Sequence, residues 1–542
     1  MEVLASVTLC LVALVVALVL HPVYESNDDA IIESLLFGYH GMKGTSFLVY
    51  PNRFLGCMLR FLVSFSPYVN WYFVLQYSVC ISSLYVLTRT FIHKFRLNGL
   101  FASILIVAAG METLYSVQYT QTAALATVSG FIGLVFFLRE KNNLFFKCVC
   151  VWLIVIASMI RIESFVMVCP FLGIVGFYEL AENMKSGKEN VRRYLVTLGI
   201  TIVLLGTCYV LGKIIDRNTP GARDFYSYNS YRTSITDFPI DYSTGCDVDL
   251  LMVSIWMNND PEVLTVDSMK ELYDLHHSEK SFTIESLTRL FRDYFPEVIQ
   301  TEPMIIIALA EMIFFLIFSK RRLFVFPLFG SYVFLEWYLS SVGRIGLHRV
   351  DFGILFTLIV SLMYLSDISL TGSNENLKTI VHYVVVPVFV FAGVFVVCNY
   401  SFVWHSSVLD YRKGESRSLK TVTANAEYQY MVHPILLGLD IDRNLYELPD
   451  DQFNDDFFIM GGWQEGIAIP GHKSPNQGSI EGNPWNACVD NDNIKLVLPR
   501  ANGESAINIA SEYIRFHYGK KCSGVLDYRD DFVLVYHMIS AD

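Results

Sequence analysis

The stretch VLASVTLCLVALVVALVLHPVYESNDD, residues 3–29, passes from an almost unbroken hydrocarbon segment directly into three acids, Glu25, Asp28 and Asp29. Val3 to Leu20 is apolar for 18 residues, long enough to cross a bilayer once its flanks are counted. It has no basic leader and no small-x-small cleavage site, and many more apolar runs follow. A retained first transmembrane helix is therefore expected rather than a cleaved signal. The acids then fall at the membrane surface, where a charge cluster is either a helix cap or a reaction site.

The rest of the chain repeats the hydrocarbon theme. Of 542 residues 53% are hydrophobic and 17% charged, and the mean hydropathy is +0.41. Soluble domains carry about 25% charged residues, so the composition belongs to the membrane class. Ten more runs of near-spanning length lie at roughly 69–91, 98–115, 118–138, 144–160, 164–180, 194–215, 303–319, 323–341, 350–366 and 378–400. Eleven spans place the basic clusters Arg89/Lys94/Arg96, Arg139/Lys141/Lys147, Lys185/Lys188/Arg192/Arg193 and Lys320/Arg321/Arg322 on one side. The positive-inside rule makes that side cytoplasmic. The N-terminus is then inside, the C-terminus outside, and the plasma membrane is the expected location.

Four parts follow. Residues 1–215 form an N-terminal bundle whose first outside loop, 21–68, carries two interfacial helices. The first places Ile31, Ile32, Leu35, Leu36 and Tyr39 on an apolar face with Glu33 and Gly38 off it. The second is RFLGCMLRFLVSF (53–65), with Arg53 and Arg60. Residues 216–302 are a large outside loop, aromatic and polar at first and helical around 266–276 and 283–295. Residues 303–400 return to the membrane. Residues 401–542 read as a small soluble α/β domain, with strands at DFFIMGG, NIKLVLP, GVLDYR and FVLVYHM and a helix over 504–519 ended by glycine. The fold class expected is thus a polytopic α-helical membrane protein of about eleven helices with a C-terminal extracytoplasmic α/β domain. Both outside parts are acidic, which excludes a nucleic-acid partner. A Cys488–Cys522 disulfide is one option for the outside cysteines.

Ser26-Asn27-Asp28-Asp29 fits a capping box, with Ser26 as cap and Asp29 reaching back to it. The alternative is that Asp28 or Asp29 is a general base or metal ligand beside the bilayer. Arg161 and Glu163 meet at the outside end of two runs, as an ion pair or an anion site. SVGRIGLHRVDFG (341–353) places Arg344, His348 and Arg349 in a short outside connection, against the positive-inside trend. Arginines beside glycines there suit a phosphate clamp or headgroup contacts. In the large loop Arg223, Asn229, Arg232, Asp237 and Trp256 are candidates for carbohydrate contacts or ordinary packing. Trp463 is a further aromatic candidate, whereas His276, His277 and Glu279 match no zinc spacing. Walker A, GxGxxG, CxxC and HExxH patterns are absent, which excludes the common nucleotide and zinc enzymes.

A first helix from the cytoplasm, then an outside loop with Asn27-Asp28-Asp29 and an interfacial helix, resembles the GT-C glycosyltransferases. That superfamily includes protein O-mannosyltransferases, aminoarabinose transferases and oligosaccharyltransferases. The resemblance implies an inverting transferase that moves a sugar from a polyprenyl-phosphate donor to a glycan, lipid or protein acceptor outside the membrane. It implies Asp28 or Asp29 as base or metal ligand, and donor-phosphate contacts from Arg344, His348, Arg349, Arg161 and Arg53. It leaves open whether a divalent cation, Mg or Mn, takes part, and names no metal ligands. A surface-polysaccharide polymerase or ligase shares the layout without needing the acidic pair. A transporter or flippase would instead place ionisable groups deep within several helices.

Overall fold

The structure is a computed structural model describing residues 2–38, 44–140, 143–237, 247–276, 282–366, 379–425, 427–436, 445, 457–462, 469–470, 480 and 482–541. The bundle begins with α1 (Glu2–Val19), α2 (Asn27–Phe37), α3 (Arg53–Phe65), α4 (Trp71–Phe95), α5 (Leu97–Gly110), α6 (Glu112–Tyr115) and α7 (Tyr119–Phe137). It continues with α8 (Leu144–Ile160), α9 (Ile162–Ser186) and α10 (Lys188–Arg217). The loop region supplies α11 (Ala222–Thr236), α12 (Val248–Ser254), α13 (Val266–His276), α14 (Ile284–Arg289) and α15 (Phe295–Thr301). Then come α16 (Pro303–Phe318), α17 (Val325–Ser341), α18 (His348–Leu365) and the long α19 (Val386–Val422).

Among the described residues nine helical segments are long and apolar enough to cross a membrane, ten if the sharply bent pair around α15 and α16 counts as one span. The chain is therefore a polytopic helical protein. Against the eleven runs expected, α8 (17 residues) and α16 (16 residues) are the short ones. At one end of the bundle Glu2 of α1 bonds to His93 (2.7 Å) and pairs with Arg96, and His93 also meets Glu140 (2.8 Å). Arg139 pairs with Glu179 at 2.6 Å nearby. Two of the expected basic connections, those of Arg96 and Arg139, are thus held by carboxylates.

Four expectations change. First, α2 does not lie on a surface with Glu33 facing away. Ile31, Ile32, Leu35 and Leu36 are buried, and so is Glu33, because α3 and the bundle cover more than one face. Tyr39 lies outside the described residues. Second, Ser26 is the N-cap by backbone conformation but accepts no helix N–H. Its hydroxyl donates to Asp29 Oδ2 instead (3.3 Å), so the capping box is not formed. Third, the aromatic opening of the large loop is helical. Phe225, Tyr228, Arg232 and Ile235 of α11 are buried at spacings of three and four, a helical stripe masked by polar neighbours. Fourth, the helix expected to end near 400 continues to Val422. No proline interrupts that segment, and at about 1.5 Å per residue the extension carries it well beyond one bilayer thickness.

The C-terminal sheet contains β3 (Gln429–Val432), β4 (Phe457–Ile459), β5 (Ile494–Pro499), β6 (Cys522–Arg529) and β7 (Val533–Ser540), in the order β4-β3-β5-β7-β6. The first two junctions are parallel and the others antiparallel, with Val432 opposite Val497 and Leu496 opposite Tyr536. Helices α20 (Pro484–Asp490) and α21 (Gly503–Tyr518) cover one face, joined by Met252 and Met257 from the loop region. Leu419 and Val422, at the end of α19, cover the other. Cover on both faces explains why LVLP of β5 is continuously apolar. Cys488 and Cys522 are free thiols, so the disulfide is not made.

The loop and tail therefore share one core. Trp485 is fully buried and donates to the Asn259 carbonyl at 2.9 Å. Truncating it to alanine should cost about 3–5 kcal/mol. Limited proteolysis should then cut the 247–264 segment and the sheet together; cleavage confined to the tail would show that they are independent.

Candidate functional site

The acidic stretch is fixed by a two-residue parallel pairing. In this pair β1 (Val23–Tyr24) lies beside β2 (Ser116–Val117), extended by Glu25 N–H to the Val117 carbonyl at 3.1 Å. This holds the start of α2 against the start of α7. The two aspartates then separate. Asp29 is fully buried, and its Oδ1 accepts from Tyr72 Oη (2.9 Å), Gln76 Nε2 (3.1 Å) and the Tyr119 amide (3.2 Å). It is a strut tying α2 to α4 and α7. Burial pushes its carboxyl up to about 8, against the opposing bonds from Tyr72 and Gln76.

That shift sets a pH dependence. A carboxyl raised in the folded state binds its proton there more tightly than in the unfolded chain. Stability should therefore fall as pH rises from about 4 toward about 8, then level off. Thermal unfolding in detergent should show this slope, and Asp29→Asn should flatten it. An unchanged slope in the variant would assign the dependence to another group.

Asp28 is half-buried, and its charge acts on a set of cations and rings. Tyr50 and Tyr119 stack with centroids 5.8 Å apart. The Arg161 guanidinium lies 4.5 Å from the Tyr50 ring and 5.2 Å from the Tyr119 ring. It donates to Tyr119 Oη at 3.1 Å and pairs with Glu163 at 3.1 Å. The Arg161–Glu163 ion pair is therefore formed. Asp28 is also within electrostatic reach of Arg349 and Arg232 as well as Arg161 and Tyr50. Burial pushes the Tyr50 hydroxyl up to about 12, aided by Asp28 and opposed by Arg232, Arg161 and Arg344.

Two of these cations have spare capacity. Arg232, from α11, is buried, stacks 4.8 Å over Trp256 and donates Nε to Asn229 Oδ1 at 3.2 Å. Its buried Nη1 has no partner among the described residues. Arg349, in the first turn of α18, makes no hydrogen bond or ion pair among the described residues. Asp28 is the strongest charge acting on it.

The other candidates take different positions. Arg344 is paired with Asp237 at 2.6 Å, in a turn between Gly343 and Gly346, both at positive φ. His348 is held at both ring nitrogens, by Glu112 (2.5 Å) and Glu302 (2.6 Å). His348 is not free for phosphate without first giving up a carboxylate, whereas Arg344 uses only its Nε on Asp237. Arg53 stands apart, over Phe47 at 4.8 Å and beside Asp216 at 4.0 Å. Arg223 is exposed on α11, and Trp256 is also exposed, with φ of 63°. Trp463, His277 and Glu279 lie outside the described residues. Among the described residues no group of three His, Cys, Asp or Glu side chains is arranged to hold a metal ion.

Sequence reasoning missed Tyr50, Tyr119, Glu112 and Glu302. Glu112 carried a readable signal, an acid inside the apolar run IVAAGMETLY (106–115), where a charge requires a partner. The tyrosines carried none, since their stacking depends on two segments that only the fold brings together. No family model matches the chain, nor does any curated protein or solved structure.

Proposed function

We propose that the chain is a membrane glycosyltransferase that moves a sugar from a polyprenyl-phosphate donor to an acceptor hydroxyl on the extracytoplasmic face. The carrying observation is the convergence of Asp28 with Arg161, Arg232 and Arg349 around the Tyr50–Tyr119 stack. A carboxylate beside cations with unused donors suits a hydroxyl to be deprotonated and a phosphate to be neutralised. In this reading the acceptor oxygen attacks the anomeric carbon from the face opposite the phosphate. The sugar–phosphate C–O bond breaks, and its electron pair leaves with polyprenyl phosphate. Asp28 takes the hydroxyl proton, and the anomeric centre inverts. Arg349 and Arg232 offer donors to the leaving phosphate, and Arg161 adds its charge.

The reading also assigns the membrane sides. The Asp28 end faces outward with the C-terminal domain, and the Glu2–His93–Arg96 end faces the cytoplasm of a plasma-membrane protein. Asp29 becomes a positioning residue, and His348 a brace between Glu112 and Glu302. Incubating proteoliposomes with labelled polyprenyl-phosphate sugars tests the reading, because transfer releases polyprenyl phosphate.

A transporter or flippase is the second reading, favoured by one observation. Glu311, Glu336 and Asp351 are buried in α16, α17 and α18, each with an oxygen lacking a partner among the described residues. Buried acids of this kind suit ion-coupled movement. A substrate gradient formed without donor consumption would establish that reading instead.

A further inference from the structure

At the bundle end away from Asp28, a half-open cavity of about 280 Å³ lies between α4, α5, α16, α18 and α19. Its walls include Phe91, Phe95, Phe314, Phe315 and Phe389, and among the described residues Glu311 is the only charged group lining it. Glu311 is 5% exposed, and its Oε2 has no hydrogen-bond partner among the described residues. A carboxyl oxygen left unpaired in hydrocarbon surroundings is costly, so the crevice lacks one donor. Its volume is about twice the ~150 Å³ cavity that holds benzene, and near the lower end of small-ligand sites.

We propose that this crevice binds the hydroxyl-bearing end of a neutral, long-chain amphiphile from the bilayer. The hydroxyl donates to Glu311, and the adjoining hydrocarbon packs among the five phenylalanines. A cationic head suits the site less well. It would leave water for a single carboxylate, with only apolar and aromatic walls around the rest of the charge. Ser366, which also lines the crevice, already donates its hydroxyl to the Met363 carbonyl at 2.7 Å. This site is separate from the Asp28 cluster and does not depend on the transferase reading.

Photolabelling of the full chain in phosphatidylcholine nanodiscs tests it. The probes are a diazirine-bearing long-chain alcohol, its methyl ether and the matching amine, with adducts mapped by peptide mass spectrometry. The alcohol should label α16 and α19 about tenfold more than the ether, the effect of one hydrogen bond to a carboxyl group. Glu311→Gln, which keeps an acceptor, should retain that preference, and Glu311→Leu should remove it. Ala102→Trp, which fills the crevice, should suppress all three probes. Equal labelling by alcohol and ether would overturn the proposal. So would a preference for the amine, an alcohol preference that survives Glu311→Leu, or labelling that survives Ala102→Trp.

Discussion

Asp28→Asn should abolish sugar transfer while Asp29→Asn leaves it largely intact. Removing a general base typically costs about a hundred- to ten-thousand-fold in rate, and Asp28 is the acid whose charge acts on the cations. Asparagine keeps the size and one acceptor oxygen, so donor affinity should change little in either variant. At position 29 the substitution preserves an acceptor for Tyr72, Gln76 and the Tyr119 amide. Burial already favours the neutral acid there, so the strut should survive. Single-turnover release of polyprenyl phosphate from each variant gives the comparison. Equal loss in both would return Asp29 to the reacting group; retention in both would remove Asp28 from it.

The second large effect belongs to Arg349. Arg349→Ala should weaken donor binding roughly ten- to a hundredfold, as expected for charge-assisted bonds worth roughly 1.5–3 kcal/mol. Arg349→Lys should recover only part of this, because an ammonium cannot present two parallel donors to a phosphate. Arg344→Ala is the control. Arg344 gives its Nε to Asp237 at 2.6 Å, so its loss should loosen the turn and weaken donor binding clearly less than Arg349→Ala does. Binding is read by competition with a labelled polyprenyl-phosphate sugar. Equal weakening by Arg344→Ala and Arg349→Ala would indicate a general loss of positive field rather than a phosphate contact.

How much of this could be read from residues alone differs by kind of feature. Membrane helices announce themselves through continuous hydrocarbon, and the apolar runs all reappear as helices. The strand at Gln429–Val432 did not, because QYMV is only four residues long and has no clear alternation of apolar and polar side chains. Helix α11 was hidden for a related reason. Its buried face is made of Phe225, Tyr228, Arg232 and Ile235 rather than aliphatic residues.

The site was half visible. Asp28, Arg161 and Arg349 were each recognisable as charges that needed a reason, whereas Arg232 was one of several polar loop residues open to carbohydrate contacts or ordinary packing. Which of the two aspartates lies beside those cations was not recognisable. Ile31, Ile32, Leu35 and Leu36 lie three, four and seven residues from one aspartate or the other, so helical periodicity draws both toward the core. Tertiary contacts decide the matter, through Tyr72 and Gln76 of α4 and the amide at the head of α7. His348 illustrates the converse. It does sit where the 341–347 connection meets α18, but Glu112 and Glu302, far away in sequence, occupy both of its ring nitrogens.

The most direct measurement is donor consumption by the wild-type chain in proteoliposomes loaded with a panel of radiolabelled polyprenyl-phosphate sugars. The account predicts that at least one donor is converted to free polyprenyl phosphate with its sugar inverted on an acceptor hydroxyl, and that Asp28→Asn stops the conversion. Every donor recovered intact while label accumulates across the membrane would contradict it.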